Sequence, residues 1–237
     1  MGQGRVGYAL ATSLEHAGYE IDGPLGRGAA AAGAGAVLLC VPDGEIAGAA
    51  AHIAPGRLVG HCSGATGLAP LAPHEAFSLH PLMTVTAKGA DFAGAGAAIA
   101  GGTPLALALA RELADSLNMR PVEIVEPERP AYHAAASIAS NFLITLEAAA
   151  ERLGATVGLE REQLVPLVRA TVENWASLGP ERALTGPVAR GDEATVARQR
   201  EAVAEAAPEL LDLFDALVTA TRSLAAQHEP QREAQPA

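Results

Sequence analysis

The stretch Gly2-Gln3-Gly4-Arg5-Val6-Gly7 decides the fold of this chain, because it has the G-x-G-x-x-G spacing of a phosphate-binding turn. The helix that must follow such a turn is predicted over residues 5–17, where Val6, Leu10 and Leu14 recur at every fourth position. In a dinucleotide-binding fold, the pyrophosphate meets the N-terminus of this helix. The sequence therefore predicts a dinucleotide site at the start of the chain.

The strand that precedes this turn in a dinucleotide-binding fold is missing, since only Met1 stands before Gly2. We expect that the coding start is misplaced and that a short apolar strand lies upstream. Met1 would then be an initiator placed at an internal valine codon. An in-frame apolar segment upstream in the genome would support this expectation, and the lack of one would contradict it.

Strands alternate with helices over the first half of the chain. Residues 37–41 form a continuous apolar run closed by Pro42, which is typical of a strand buried on both faces of a parallel sheet. This alternation predicts an α/β fold with a Rossmann-type, doubly wound parallel sheet whose first strand is truncated. Further strands are predicted at residues 19–22, 58–61, 76–79, 97–99 and 121–125, and further helices at residues 43–53 and 104–117.

The pattern changes after residue 126, where only helical periodicity remains. The sequence predicts a Rossmann-like domain over residues 1–126, a helical domain for substrate binding and dimerisation over residues 127–228, and a disordered tail over residues 229–237. Four helices with few aromatic side chains favour an interface between two copies of the chain. Helices are predicted at residues 130–153, 161–178, 192–204 and 207–226.

Composition excludes several classes of function. The chain has 237 residues, 49% of them hydrophobic, which indicates a soluble protein with a sizeable core. A net charge of −11 argues against nucleic acid and anionic membranes as partners. Two cysteines are too few for a disulfide scaffold or a cysteine zinc site, and no metal is expected. No signal peptide or membrane span is predicted, and a cytoplasmic location follows by default.

Residues near the second predicted strand bear on the choice between NAD and NADP. An acidic residue at the end of that strand would hold the ribose 2′-hydroxyl of NAD, whereas an arginine would hold the 2′-phosphate of NADP. Asp22 falls inside the predicted strand, and Arg27 follows it between two glycines. A guanidinium can grip a phosphate with two hydrogen bonds, so NADP is favoured over NAD. The alternative is a solvated loop arginine.

Polar side chains follow two later strands, at the edge where open α/β sheets bind ligands. Ser63, with the amides of Gly64 and Ala65, could bind a carboxamide or a carboxylate. His80 could donate a proton near neutral pH. Ser-Gly and His-Pro are also common in ordinary turns. The neighbouring His61-Cys62 pair is interpreted as structural, because no oxyanion or triad pattern accompanies it.

Two polar features stand out in the helical half. His133, Ser137 and Asn141 are four residues apart and form a stripe on one helix face, which is either the wall of a site or a seam between helices. The loop 184–192 interrupts the helices and carries Arg190, which could bind an anionic substrate group. Alternatively, this loop is a connector in which Asp192 caps the next helix.

The order of these motifs resembles the Rossmann-like bacterial family that carries domain of unknown function 2520. The resemblance runs from Gly2 to about Ala225, and its most specific part is the loop 184–192. It implies an N-terminal NAD(P)-binding domain and a C-terminal helical domain of the 6-phosphogluconate dehydrogenase type, which usually dimerises. Members look like relatives of the 6-phosphogluconate, 3-hydroxyisobutyrate, ketopantoate and pyrroline-5-carboxylate reductases. The resemblance implies no particular substrate.

One position departs from the related hydroxyacid dehydrogenases, which have a lysine four residues before an asparagine on the first helix after the Rossmann half. Here Ser137 stands before Asn141, so their lysine-dependent proton transfer does not carry over. The resemblance and the residues together predict an NADP-dependent oxidoreductase of a small anionic carbonyl or imine compound. The alternatives are a non-catalytic NAD(P) sensor or degenerate relative, and an α/β module that binds no dinucleotide.

The predicted site has three parts. His133 or His80 would handle the proton, Asn141 would orient the substrate, and Ser137 is predicted as a further catalytic residue. Thr185, Arg190 and Asp192 would bind the substrate, with Arg190 of this chain or of a partner subunit holding a carboxylate. The cofactor would be held by Gly2, Gly4, Arg5, Val6, Gly7, Arg27, Pro42, Ser63 and Gly64.

Overall fold

The structure is a computed structural model that describes residues 1–227. It has two compact units, Met1–Asn141 and a second that begins at Phe142. The predicted domain boundary at residues 126 and 127 stays a prediction, and the predicted tail over residues 229–237 lies outside the described residues. Within the described part of the chain, no helix is long and apolar enough to cross a membrane.

The first unit is built on a five-stranded sheet in the order β1-β2-β3-β4-β5. Strands β1, β2 and β3 are parallel, β4 is antiparallel to β3, and β5 is parallel to β4. Together with the helices that follow, this mainly parallel sheet confirms the predicted fold class. The strands are β1 (Ala36–Leu39), β2 (Leu58–His61), β3 (Glu75–Leu82), β4 (Gly96–Gly101) and β5 (Arg120–Glu123).

Helices cover both faces of this sheet. Helix α1 (Arg5–His16) and helix α3 (Pro104–Ser116) pack on one face, where Leu10, Phe77 and Ile99 are buried. The short helix α2 (Ile46–Ala50), preceded by a 3-10 turn at Asp43–Glu45, packs on the other face. Because both faces of the sheet are covered, the stretch that forms β1 is a continuous apolar run.

The helical part agrees closely with the predicted periodicity. Helix α4 (Arg129–Ser137) continues through a π-helical turn, Ile138–Phe142, into α5 (Leu143–Ala155). The π turn interrupts the regular spacing of the predicted stripe of His133, Ser137 and Asn141. The remaining helices are α6 (Arg161–Leu178), α7 (Pro180–Ala183), α8 (Glu193–Ala206) and α9 (Leu211–Ala226).

The predicted strand at residues 19–22 is wrong, because this segment forms no ladder with a neighbour. Instead it forms a wall of a cavity of about 620 Å³, together with side chains of α1, β1 and α3. Met1 lies beside β1 and pairs with it in strand-like fashion: its amino group donates to the Leu38 carbonyl (2.5 Å), and its carbonyl accepts from the Cys40 amide (2.7 Å). A strand needs such a partner along its whole length, and residues 19–22 have none in the described sheet.

The sheet also differs from the predicted parallel sheet in the direction of β4, and the connection from β3 to β4 explains this difference. Residues 83–95 contain no helix, so the chain does not cross over to the start of the sheet again. It returns directly, and β4 runs antiparallel to β3, with Leu79 opposite Ile99. The carboxyl ends of β1, β2 and β3 nevertheless meet at one edge, where the candidate site lies.

Candidate functional site

The glycine-rich turn leads into α1 with its backbone amides open to a ligand. Gly4 is the N-cap residue, and no side chain caps the helix. The first-turn amides of a helix have no partner within the helix, and here no acidic side chain occupies the first turn either. An anion is favoured at such a position by both the amides and the helix dipole. The turn therefore fits the pyrophosphate of a dinucleotide.

Each of the three glycines of the turn lacks a side chain for a different steric reason. Gly2 has a φ of +109°, and a Cβ there would lie 2.2 Å from the Cys40 carbonyl oxygen. A Cβ on Gly7 would lie 1.9 Å from the Gly2 carbonyl oxygen. A Cβ on Gly4 would meet no protein atom within 4 Å, so the space beside it is open. The first and third glycines thus allow the turn to pack, and the second leaves room for a ligand.

A cleft of about 520 Å³ joins this turn to the carboxyl ends of three strands. It brings together four residues predicted for the cofactor, Gly4, Arg5, Val6 and Ser63, and the predicted proton donor His80. These residues come from three separate motifs. Their convergence follows from the parallel order of β1, β2 and β3, which sets the ends of the strands side by side.

The loop after β2 is held rigidly by its own hydrogen bonds. The Ser63 amide donates to Nδ1 of the buried His61 (3.2 Å), so Nε2 of that ring carries the hydrogen and donates to the Gly67 carbonyl (2.9 Å). Ser63 Oγ accepts from the amides of Ala65 (3.2 Å) and Thr66 (2.9 Å). Burial lowers the pKa of His61. The ring is thus a neutral structural group, as the interpretation of the His61-Cys62 pair expected.

The bonds of Ser63 change what this loop can offer a ligand. The Ala65 amide, which the sequence assigned to substrate or cofactor, is already bonded to Ser63 Oγ. The turn chemistry that the sequence allowed as an alternative therefore accounts for this amide. Ser63 and Gly64 stay predicted as cofactor residues.

His80, Tyr132, His133 and Gly64 form a compact cluster beside the cleft. His80 Nδ1 lies 2.6 Å from the Tyr132 hydroxyl, and the two rings meet edge to face. A Cβ on Gly64 would lie 2.9 Å from Cε1 of His80 and 3.1 Å from Cδ2 of His133. Both histidine rings therefore lie against this glycine, and only a residue without a side chain fits there.

The surroundings keep both members of the His80–Tyr132 pair neutral. Burial, the neighbouring His133 and Arg129 lower the pKa of His80 to about 4. Burial raises the pKa of Tyr132 to about 12, although Arg129 opposes it. At neutral pH a phenol and an uncharged imidazole thus share a short hydrogen bond, which is a suitable arrangement for moving a single proton.

A buried arginine lies beneath this cluster. Arg129 is 2% exposed and donates through Nη2 to Ser78 Oγ (2.5 Å). Its Nε lies 3.6 Å from Glu126 Oε2, close enough for ion pairing but too far for a hydrogen bond. A positive charge held at this place disfavours protonation of His80, which is the direction of the shift described above.

Several predicted residues lie apart from the cluster within the first unit. Arg27 is exposed, and its guanidinium pairs with Glu45 (2.8 Å). Pro42 directly precedes the 3-10 turn at Asp43–Glu45. On the helix of His133, Ser137 is half-buried, and the Ser140 hydroxyl donates to Asn141 Oδ1 (3.4 Å). Their assignment to the site stays a prediction.

The loop 184–192 belongs to the second unit. Asp192 is the N-cap of α8 and accepts from the Thr195 amide (3.0 Å), a bond that lowers the pKa of its carboxyl group. This is the capping role that the sequence allowed as an alternative. Thr185 and Arg190 are exposed. Their role in substrate binding stays a prediction.

Two residues were not predicted as site residues, namely Tyr132 of the cluster and the neighbouring Arg129. The hydroxyl of Tyr132 contacts a histidine 52 residues away in sequence, and no local pattern reveals such a contact. Its position directly before His133 was the one available signal. Arg129 is the first residue of α4, a position at which an arginine is expected to be exposed to solvent. Only the structure shows that it is buried.

Comparison with known proteins identifies the family. Residues 95–221, more than half of the chain, match the family described as domain of unknown function (DUF2520). The chain belongs to this family. None of the curated proteins matches the sequence of this DUF2520 protein.

Solved structures share its fold. A protein from Thermotoga maritima is 27% identical, with a TM-score of 0.74 over 81% of this chain and 80% of that one. A candidate NADP oxidoreductase from Bacteroides fragilis is 21% identical, with a TM-score of 0.71 over 80% and 76% of the two chains. Pyrroline carboxylate reductase from Plasmodium falciparum, solved with NADP bound, is 13% identical, with a TM-score of 0.58 over 95% and 96%. The last two likenesses show the fold alone.

Proposed function

We propose that this DUF2520 protein is an NAD(P)-dependent oxidoreductase that acts on a small, anionic carbonyl or imine compound. The observation that carries the proposal is the cleft in which the glycine-rich turn and His80 face the same space. The nicotinamide of the bound cofactor would supply or accept the hydride. Among proteins of this fold, one is a pyrroline carboxylate reductase with NADP bound and another is an imine reductase from Bacillus cereus, which supports a C=N or C=O substrate.

The chain's own residues would hold the cofactor at two places. The amides at the start of α1, beside Gly4, would bind the pyrophosphate. Arg27 would bind a 2′-phosphate, which favours NADP, provided that its guanidinium leaves Glu45. Because Arg27 is exposed, this exchange of one anionic partner for another requires little desolvation.

The His80–Tyr132 pair would handle the proton. In the direction of reduction, hydride addition places an electron pair on the substrate oxygen or nitrogen. With Nδ1–H of His80 donating to the Tyr132 oxygen, the phenol hydrogen is free to go to that atom, and solvent then returns a proton to the phenolate. His133 is exposed and adjacent, so it can carry this proton from solvent.

The remaining assignments come from the sequence. Arg190 would hold a carboxylate of the substrate, and Asn141 would orient its reacting group.

A homodimer is supported by large apolar side chains that are exposed on helices of the second unit, among them Trp175 (58%) and Leu167 (64%). If a second copy covers this surface, then Trp175→Glu will produce monomers in sedimentation velocity while the wild type stays dimeric. A wild type that sediments as a monomer would contradict the dimer.

A cofactor titration with matched variants tests the function. A methyl group on Gly4 would meet no protein atom, so Gly4→Ala should leave folding intact and obstruct only a ligand that approaches the turn. Gly48→Ala is the control, because Gly48 lies in α2 and its Cβ would also meet nothing. We expect calorimetry to show NADPH binding to the wild type and to Gly48→Ala, with at least about a tenfold loss of affinity in Gly4→Ala.

Two outcomes would contradict the proposal. One is the absence of NADPH and NADH binding to a folded wild-type protein. The other is equal affinity in Gly4→Ala and Gly48→Ala, which would place the nucleotide away from the turn. In both cases circular dichroism must show that each variant is folded.

A second candidate function, a non-catalytic NAD(P) sensor, is favoured by Ser137, which stands where related dehydrogenases have their lysine. The two functions differ in the effect of Tyr132→Phe. If the protein is an enzyme, Tyr132→Phe removes a general acid and should lower the turnover rate by about 10²-fold or more, while the NADPH affinity stays unchanged. A sensor would show no turnover in the wild type with any keto acid or cyclic imine, and Tyr132→Phe would change nothing measurable.

A further inference from the structure

Two cysteines lie side by side at the floor of the cleft. The paired residues Leu39 and His61 end the register of β1 and β2, and the next residue of each strand is a cysteine. The Cys62 amide donates to the Leu39 carbonyl (3.1 Å), which continues the ladder by one step. Cys40 and Cys62 are therefore directly opposite each other, and their sulfur atoms are 3.5 Å apart. Both line the cleft and are only partly buried.

Backbone geometry at this position suits a disulfide. Neighbouring strands lie about 4.8 Å apart, so residues directly opposite each other have Cα atoms within the range that a disulfide spans. The backbone on both sides is fixed, since the Cys40 amide also donates to the Met1 carbonyl (2.7 Å). To form the bond, the sulfur atoms must close from 3.5 Å to about 2.05 Å, a change to which rotation of the two side chains contributes.

The two thiols differ in their chemistry. The hydrogen bond between them lowers the pKa of Cys40 and raises the pKa of Cys62, and burial raises the pKa of Cys62 further. Cys40 is therefore the one that ionises first, and the Cys62 thiol can then donate to the Cys40 thiolate across the 3.5 Å between the sulfur atoms. A thiolate beside a thiol is the arrangement in which one cysteine attacks an oxidant and the other resolves the product.

We propose that Cys40 and Cys62 are a reversible redox pair that hydrogen peroxide converts into an intramolecular disulfide. The Cys40 thiolate attacks the peroxide oxygen, the O–O bond breaks, and the released hydroxide takes up a proton to give water. Cys62 then attacks the sulfur of the Cys40 sulfenic acid, the S–S bond forms, and the hydroxyl group leaves with the Cys62 proton as a second water. Two thiols are oxidised and one peroxide is reduced to two waters. A small oxidant is the fitting one, because the pair is reached through the cleft.

Peptide mapping tests this proposal without a cofactor or a substrate, so it does not depend on the proposed function. Trypsin cleaves after Arg27, Arg57 and Lys88, which places Cys40 in the peptide 28–57 and Cys62 in the peptide 58–88. The full-length protein, reduced and then treated with hydrogen peroxide, should lose both free thiols together. The two peptides should then appear linked, with two hydrogens fewer than their sum, and a thiol reductant should separate them again.

Two single variants identify the steps. Cys62→Ser should stop at the Cys40 sulfenic acid, which dimedone traps in the peptide 28–57. Cys40→Ser should give less dimedone adduct than Cys62→Ser at the same peroxide concentration, because burial still raises the pKa of Cys62 after its bond to Cys40 is gone. If either variant fails to fold, the disulfide between the peptides 28–57 and 58–88 of the wild type tests the proposal by itself.

Two results would overturn the proposal. The first is unlinked wild-type peptides whose cysteines gain oxygen independently or stay reduced. The second is a link found only in covalent dimers on a non-reducing gel, which would show that the disulfide joins two chains.

Discussion

Gly64→Ala is the substitution that tests the candidate site most directly. The new methyl carbon would lie 2.9 Å from Cε1 of His80 and 3.1 Å from Cδ2 of His133, whereas carbon atoms pack best at about 3.5–4.0 Å. At least one ring must therefore move by about 0.5–1 Å. His133 is exposed and can turn away, but His80 is held by its 2.6 Å hydrogen bond to Tyr132. We expect the variant to lose this bond.

The energetic cost follows from three contributions of known size. Overpacking costs about 1–3 kcal/mol, and a lost hydrogen bond costs about 0.5–1.5 kcal/mol. Replacing glycine by alanine returns about 0.4–1 kcal/mol, because it restricts the unfolded chain. Gly64 does not have a positive φ, so no backbone strain is added. We therefore expect a loss of about 0.5–4 kcal/mol in the free energy of unfolding.

Urea denaturation at pH 7, followed by circular dichroism, measures this loss. Gly48→Ala is the matched control, since its methyl group meets no atom and should stabilise the protein by about 0.4–1 kcal/mol. The histidine ring resonances should shift in Gly64→Ala and stay in place in Gly48→Ala. If both variants are equally stable and the His80 resonance does not move, then the histidine rings move aside without a loss in the free energy of unfolding. In that case the cluster is not the constrained site inferred above.

Three further predictions concern neighbouring features of the same unit. The pKa of His80 is lowered from 6.5 to about 4, so the stability that depends on its neutral form is complete above pH 6.5 and is lost as the pH falls toward 4. His133→Gln should raise this pKa, and the free energy of unfolding measured by urea titration should then fall less between pH 6.5 and pH 4. Gly7→Ala places a methyl carbon 1.9 Å from the Gly2 carbonyl oxygen and should lower both the melting temperature and NADPH affinity. Arg27→Ala should weaken NADPH about tenfold and leave NADH unchanged in parallel calorimetric titrations; equal losses for the two cofactors would contradict the assignment.

Local signals predicted most of the elements correctly. Thr103 illustrates why: its side chain accepts from the Ala106 amide (3.2 Å), and Pro104 takes the first helical position, so both the start of α3 and its direction are encoded within a few residues. The start of α1 was likewise found from the glycine turn. Such elements depend on neighbours in sequence, which a single sequence displays.

Pairing between distant segments was harder to predict. Tyr19 and Ile21 alternate with acidic residues in a pattern that suits a strand, but strand formation depends on a partner, and residues 19–22 line a cavity instead. The direction of β4 depends on the path of residues 83–95, which carry no periodic signal. In the site, His80 was recognised as a polar residue at a strand end, whereas its partner Tyr132 was not, because their contact exists only after folding.

The division of the chain separates two questions about its function. The glycine turn, the cleft and the His80–Tyr132 pair all belong to the unit Met1–Asn141, whereas the predicted substrate residues Thr185 and Arg190 belong to the unit that begins at Phe142. Variants of the glycine turn should therefore affect cofactor binding, and variants of the His80–Tyr132 pair should affect proton transfer, with every substrate. Arg190→Ala should instead change KM for anionic substrates and leave NADPH affinity as it is. If Arg190→Ala weakened NADPH as much as Gly4→Ala does, then the loop 184–192 would be part of the cofactor site, and substrate selection would have to be sought elsewhere in the chain.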